Sequence, residues 1–92
     1  MKVSIRYCGQ LKQAAGCPSE ELGLEDSLSA QELIASVAAN HGEPLAGYLL
    51  DEDGHLRATV LAFVNEEQVD WETTRPLGDG DELVLMSAIA GG

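Results

Sequence analysis

Residues 2–8 alternate in polarity. Val3, Ile5 and Tyr7 fall on one side of an extended chain, and Lys2, Ser4, Arg6 and Cys8 on the other. Period-two alternation predicts a half-buried strand. Gly9 and Gly16 bracket Gln10 to Ala15, a stretch long enough for one helical turn. After Pro18, residues 19–24 carry a weaker strand pattern with Leu22 and Leu24 on one side, and the spacing lets this strand pair with the first as a hairpin. The clearest element is a helix. Ser29-Ala30-Gln31-Glu32 has the form of a capping box, with Ser29 as N-cap and Glu32 reaching back to it. Ala30, Leu33, Ile34 and Val37 follow as a helical stripe, which His41 continues. A histidine in a last turn is expected to favour the helix dipole rather than bind a metal, and Gly42 supplies the stop. Pro44 opens either a short second helix through Leu50 or a loop.

Residues 58–64, Ala-Thr-Val-Leu-Ala-Phe-Val, are nearly all apolar. Such a run predicts a central strand covered on both faces. Asn65-Glu66-Glu67 reads as a turn, residues 68–71 as a short edge, and Pro76 to Asp81 as turn chemistry throughout. In the last strand, 82–87, Leu83 and Leu85 face one side and Val84 and Met86 the other. Met86 and Cys8 therefore lie opposite the core-facing sets, which predicts that both are exposed and mark a partner-docking face. One main helix against a mixed sheet is the economical α+β arrangement. The chain has 92 residues and no repeats or linkers, so residues 1–92 are expected to form one domain. Aromatics are only 4%, which leaves Leu, Val, Ile and Ala to build its core.

Charge narrows the function. The net charge is −11, and residues 1–19 hold Lys2, Arg6 and Lys12 but none of the sixteen acids. A surface this acidic repels phosphate backbones and anionic lipid, so neither nucleic acid nor membrane is an expected partner. It would steer a basic protein instead, or serve solubility alone. No apolar run approaches the roughly 18 residues of a membrane span, and no secretory signal is visible, so a cytoplasmic location is expected. Cys8 and Cys17 are then expected as thiols. Together with His41 and His55 they give no metal-binding spacing. Asp51-Glu52-Asp53-Gly54 lacks the closing glutamate of a calcium loop and reads as an acidic turn.

No nucleophile elbow, phosphate-binding loop or paired acid and base is present, so no catalytic residue of the chain's own is expected. The unusual feature is the end, Ser87-Ala88-Ile89-Ala90-Gly91-Gly92, with no charged side chain after Glu82. Six extended residues reach about 20 Å. Glycine has no Cβ, so the last two can enter a channel too narrow for other residues. The tip is a carboxylate, ionised and unreactive toward nucleophiles until another enzyme activates it, as adenylation by ATP would. A binding module with an inert tail is the alternative reading.

Val3-Ser4-Ile5-Arg6-Tyr7-Cys8-Gly9-Gln10-Leu11-Lys12, Val64-Asn65-Glu66-Glu67-Gln68-Val69, Pro76-Leu77-Gly78-Asp79-Gly80-Asp81-Glu82-Leu83 and the Gly91-Gly92 end occur in one order along most of the chain. With these pieces the chain resembles the ubiquitin-like sulfur carriers: the small subunit of molybdopterin synthase, the thiamin sulfur carrier and the cysteine-pathway carriers. The resemblance implies a β-grasp fold with residues 87–92 as a flexible, reactive tail. It implies that Gly92, with Gly91 beside it, is adenylated by an activating enzyme using ATP, and that a sulfur donor protein leaves a thiocarboxylate there. No bound cofactor and no metal are implied. Cys8, Gln68 and Met86 fall at the family's partner-binding face, and Ala88, Ile89 and Ala90 would run into the partner. The recipient would be a large synthase subunit or another sulfur-accepting enzyme. The first strand and the Val69-Asp70-Trp71 edge favour the molybdopterin branch. The last five residues are nearer the thiamin carriers, and the insertion from Tyr48 to Arg57 resembles the cysteine-pathway carriers. A protein modifier, joined through Gly92 to lysines, is the alternative of another class.

Overall fold

The computed structural model describes residues 1–69 and 76–87. The chain runs β1 (Lys2–Cys8), α1 (Gln10–Ala15), β2 (Ser19–Gly23), α2 (Ala30–His41), α3 (Leu45–Leu49), β3 (Val60–Val64), β4 (Glu67–Val69) and β5 (Glu82–Ser87). The strands form one sheet in the order β2-β1-β5-β3-β4. β1 pairs antiparallel with β2 and parallel with β5, and β5 pairs antiparallel with β3.

The alternation in β1 is realised as expected: Val3, Ile5 and Tyr7 are buried, whereas Lys2 and Arg6 are exposed. The same faces continue across the register. Ile5 lies beside Leu83 and Tyr7 beside Leu85, and Ala62 and Val64 sit across from Leu85 and Leu83. Helix α2 covers this face with Ala30, Leu33, Ile34, Val37 and Ala38. Its start is the expected capping box: Glu32 N donates to Ser29 Oγ at 3.2 Å, and Ser29 N donates to Glu32 Oε1 at 3.0 Å. Pro44 does lead into a helix, α3, which buries Leu45 and Leu49 in the same core.

One expectation is corrected. Among the described residues, the apolar run at 58–64 is not covered on both faces. Val60, Ala62 and Val64 are buried, but Leu61 and Phe63 are only half-buried, and the strand begins at Val60. Among the described residues, the helices that pack on the sheet lie on the Val60 side and leave the other face partly open to solvent despite its composition.

The two motifs singled out in the sequence prove to be physical partners. Asn65 and Glu66 make the β3–β4 turn with positive φ, at 50° and 74°. Asparagine tolerates this left-handed region better than most residues. Its side chain then ties the turn to the entry of β5. Asn65 Nδ2 donates to Asp81 Oδ1 at 2.7 Å, and Glu82 N donates to Asn65 Oδ1 at 2.9 Å. The approach to β5 is fixed on its other side by β1. Lys2 N donates to Asp79 Oδ1 at 2.7 Å, Gly80 N to Lys2 O at 2.7 Å, and Ser4 N to Asp81 O at 3.0 Å. These bonds set β5 between β1 and β3.

Replacing Asn65 by alanine removes two hydrogen bonds and leaves a residue poorly suited to φ 50°. We expect a loss of about 1–2 kcal/mol in urea unfolding, part of it recovered in Asn65→Gly, which restores the backbone freedom alone. Wild-type stability in Asn65→Ala would show that the clasp is incidental.

Candidate functional site

The open face of the sheet is sorted by register. Cys8, Met86 and Leu61 lie side by side across β1, β5 and β3. In the next row Arg6, Val84, Phe63 and Gln68 follow one another from β1 to β4. The apolar members thus gather at the end of the sheet where β5 finishes. The opposite end is polar, with Ser4 beside Glu82. Arg6 pairs with Glu82 at 3.5 Å and Lys2 with Glu21 at 3.6 Å, so two of the cations near this face are already matched. Exposed pairs of this kind add little stability, but they leave the polar end with no excess positive charge.

The predicted docking residues are therefore brought together. Cys8, Gln68 and Met86 share this face, Gln68 exposed and the other two half-buried rather than fully exposed. Leu61, Phe63 and Val84 complete the patch. Leu61 and Phe63 were not anticipated as surface residues, because an uninterrupted apolar run carries no mark of which side a helix will cover. Ala88, Ile89, Ala90, Gly91 and Gly92 lie outside the described residues, as does the edge at Asp70 and Trp71. Ser87 is the last residue described before the tail, so the tail begins beside Met86 at the apolar end of the open face.

A second group of chemistry-bearing side chains sits away from this face. Tyr7 Oη donates to Glu20 Oε2 at 2.7 Å, and His41 Nε2 lies 2.9 Å from the same oxygen. The Tyr7 and His41 rings meet edge to face at 5.9 Å. Burial, followed by the Glu20 carboxylate, pushes the Tyr7 phenol far up, so it serves as a donor. Partial burial alone would raise the Glu20 carboxyl. The hydrogen bonds from His41 and Tyr7 outweigh it and hold the group below the usual carboxylate range. Burial and Glu20 also raise the Cys17 thiol, the opposite of what a nucleophilic cysteine requires. The cluster clamps the C-terminal end of α2 to β1 and β2 and offers no activated nucleophile. His41 thus has a specific partner from a distant strand, in addition to its place at the helix end. Cys8 and Cys17 are both free thiols. The acidic stretch folds as a turn, with Asp51 Oδ1 accepting from Asp53 N and His55 N. Among the described residues no helix is long and apolar enough to cross a membrane.

A mixed five-stranded sheet gripping one long helix defines a ubiquitin-like β-grasp protein. The chain belongs to the ThiS family, whose model matches residues 5–92. It is 26% identical, over the full length of both chains, to a molybdopterin synthase sulfur carrier subunit of Chlamydomonas reinhardtii. Its fold matches that of SAMP1 from Haloferax volcanii with a TM-score of 0.86 at 18% identity, each chain covered completely. It also matches a chain of the BexX/CysO complex of Amycolatopsis orientalis, with a TM-score of 0.69 at 23% identity, covering 98% of this chain and 99% of that one.

The depressed Glu20 pKa gives a signed pH dependence. Its contribution is complete above the ordinary carboxylate range and is lost as pH falls through the lowered folded-state value. Urea midpoints should therefore fall more steeply below about pH 5 in the wild type than in Glu20→Gln. Parallel acid limbs would show that the clamp carries no pH-dependent stability.

Proposed function

We propose that the protein is a sulfur carrier whose working group is the C-terminal carboxyl of Gly92. The observation that carries the reading is positional. The tail continues directly from β5, the strand whose Val84 and Met86 centre the open apolar face. A partner docked on that face is at once placed to take the tail. Cys8, Leu61, Phe63 and Met86 would supply the apolar contact, with Gln68 at its margin. Ala88, Ile89 and Ala90 would line the way into the partner's channel, and Gly91 would let the narrowest part close around the chain.

The chemistry belongs to the partner and its co-substrate. An oxygen of the Gly92 carboxylate attacks the α-phosphorus of ATP, and pyrophosphate leaves. The resulting acyl-adenylate has a carbonyl carbon open to attack. Sulfur delivered by a donor protein at the oxidation level of sulfide adds there and expels AMP, leaving a thiocarboxylate. That sulfur is the nucleophile passed to a biosynthetic intermediate. The chain itself contributes docking, reach and a terminus without side chains, and no catalytic acid or base. We place it in molybdopterin synthesis, with a large synthase subunit as recipient, a reading supported by the name of the Chlamydomonas relative. The alternative fates of the activated carboxyl are thiamin or cysteine synthesis, or capture by a lysine amine to make a conjugate.

Deleting Gly92 withdraws the carboxyl by more than about 3 Å, beyond the tolerance of positioned chemistry. We expect ATP–pyrophosphate exchange with the activating enzyme to be lost while the melting temperature is unchanged. Normal exchange by the shortened chain would defeat the proposal.

Met86→Asp should weaken binding to the activating enzyme by about 1 kcal/mol or more, through faster dissociation. Rising salt should instead slow association, because the acidic surface steers the encounter. A dissociation rate unaffected by Met86→Asp would remove the open face from the interface.

A further inference from the structure

Residues 45–57 form a built structure rather than a slack connection. Leu50 and Leu56 bridge across the turn, and Asp51 N donates to His55 O at 2.8 Å. Arg57 N donates to Leu49 O at 2.9 Å, and Arg57 Nε donates to Gly47 O at 2.6 Å. These bonds hold the guanidinium against α3, next to Tyr48, whose side chain is an exposed large hydrophobic at 39%. Between α3, the start of α1 and the ends of β3 and β5 lies a cleft of about 420 Å³, lined by Gln10, Gly47, Tyr48, Arg57, Val60 and Ser87. Tyr48 also stands on the rim of a neighbouring hollow beside Gln13 and Pro44.

Ser87 connects this cleft to the tail. Its register partner is Val60, on the helix-covered side of the sheet, whereas Met86 faces the other way. The tail therefore starts between two walls. One is the open apolar face, and the other is the Tyr48–Arg57 cleft.

We infer that Tyr48 and Arg57 form a second docking surface, contacted by the lip of the activating enzyme's channel where the tail enters it. The inference rests on the carrier reading above. A channel tight enough to select glycine at its inner end encloses the chain on every side. At the root of the tail it therefore meets the helix side as well as the sheet side. Tyrosine and arginine are the residue types that anchor interfaces, and here Arg57 is pre-positioned by its bond to Gly47 O, which lowers the ordering cost of binding. The occupant is a protein lip with an aliphatic surface for Tyr48 and a carboxylate for the Arg57 fork. Among the described residues no carboxylate closes an ion pair with Arg57 as Glu21 and Glu82 do with Lys2 and Arg6 at 3.6 and 3.5 Å; Asp51 feels its charge only from a greater distance. A single acidic group on an otherwise basic partner would fix the orientation of docking, since a rotated complex would leave it against this acidic surface.

The test compares Tyr48→Ala, Arg57→Glu, Arg57→Lys and Met86→Asp. Each is measured for its Kd with the organism's purified activating enzyme and for its melting temperature. Tyr48→Ala and Arg57→Glu should each raise Kd about tenfold, and Arg57→Lys should raise it less, because the charge is kept. Tyr48 has an exposed side chain, so its variant should melt like the wild type and reports binding alone. Wild-type Kd for Tyr48→Ala and Arg57→Glu, with weakened Met86→Asp, would overturn the inference and leave the carrier reading standing. Tighter binding by Tyr48→Ala would also overturn it, because the cleft would then be holding the chain's own tail. Weakened cleft variants with an unaffected Met86→Asp would support the cleft and remove the sheet face. A wild-type chain that is never adenylated would sink the carrier reading and this inference together.

Discussion

Strand β5 is hydrogen-bonded on both flanks, to β1 and to β3, and everything else is arranged around it. Its alternation sends Leu83 and Leu85 into the core, where both are essentially fully buried, and Val84 and Met86 to the opposite face. A one-residue slip would exchange the two sets, exposing the core leucines and burying Val84 and Met86. The clasp made by Asn65, Asp81 and Glu82, with the backbone bonds to Lys2 and Ser4, fixes that register at the start of the strand. Its far end sets the point from which the tail departs. Core packing and the composition of the open face are thus consequences of the same pairing.

Among the described residues, side chains of catalytic type are engaged in holding elements together. The Tyr7–Glu20–His41 cluster has the residue types of a proton-transfer site, yet its hydrogen bonds are spent on joining α2 to the sheet edge. A fold of this kind supports several chemistries, so the fold alone does not select one. What distinguishes this chain is the meeting of three features at one end of the sheet. These are an apolar open face, the exit of β5, and Ser87, from which a run of small residues follows in the sequence.

Much of this was legible in the chain. The β1 alternation, the capping box at Ser29 and Glu32, the two faces of β5 and the turns at Asn65 and at 78–81 each follow from local pattern. What failed was non-local. The apolar run at Val60–Val64 reads the same whether one face or two are covered, and Leu61 and Phe63 keep their apolar character although no helix among the described residues packs over them. The partnership of His41 with Glu20 joins elements 21 positions apart, and no periodicity announces it. The Tyr48–Arg57 surface was visible only as an insertion. Its order comes from backbone bonds that a sequence does not display.

The central claim is that Gly92 carries sulfur, and the most direct measurement is the intact mass of the protein isolated from its own cells, before and after treatment with a thiol-alkylating reagent. A population heavier by the difference between sulfur and oxygen, localised to the C-terminal peptide and shifted by alkylation, is the predicted result. A single mass matching the unmodified carboxylate, or Gly92 found only in amide linkage to lysines of other proteins, would contradict it.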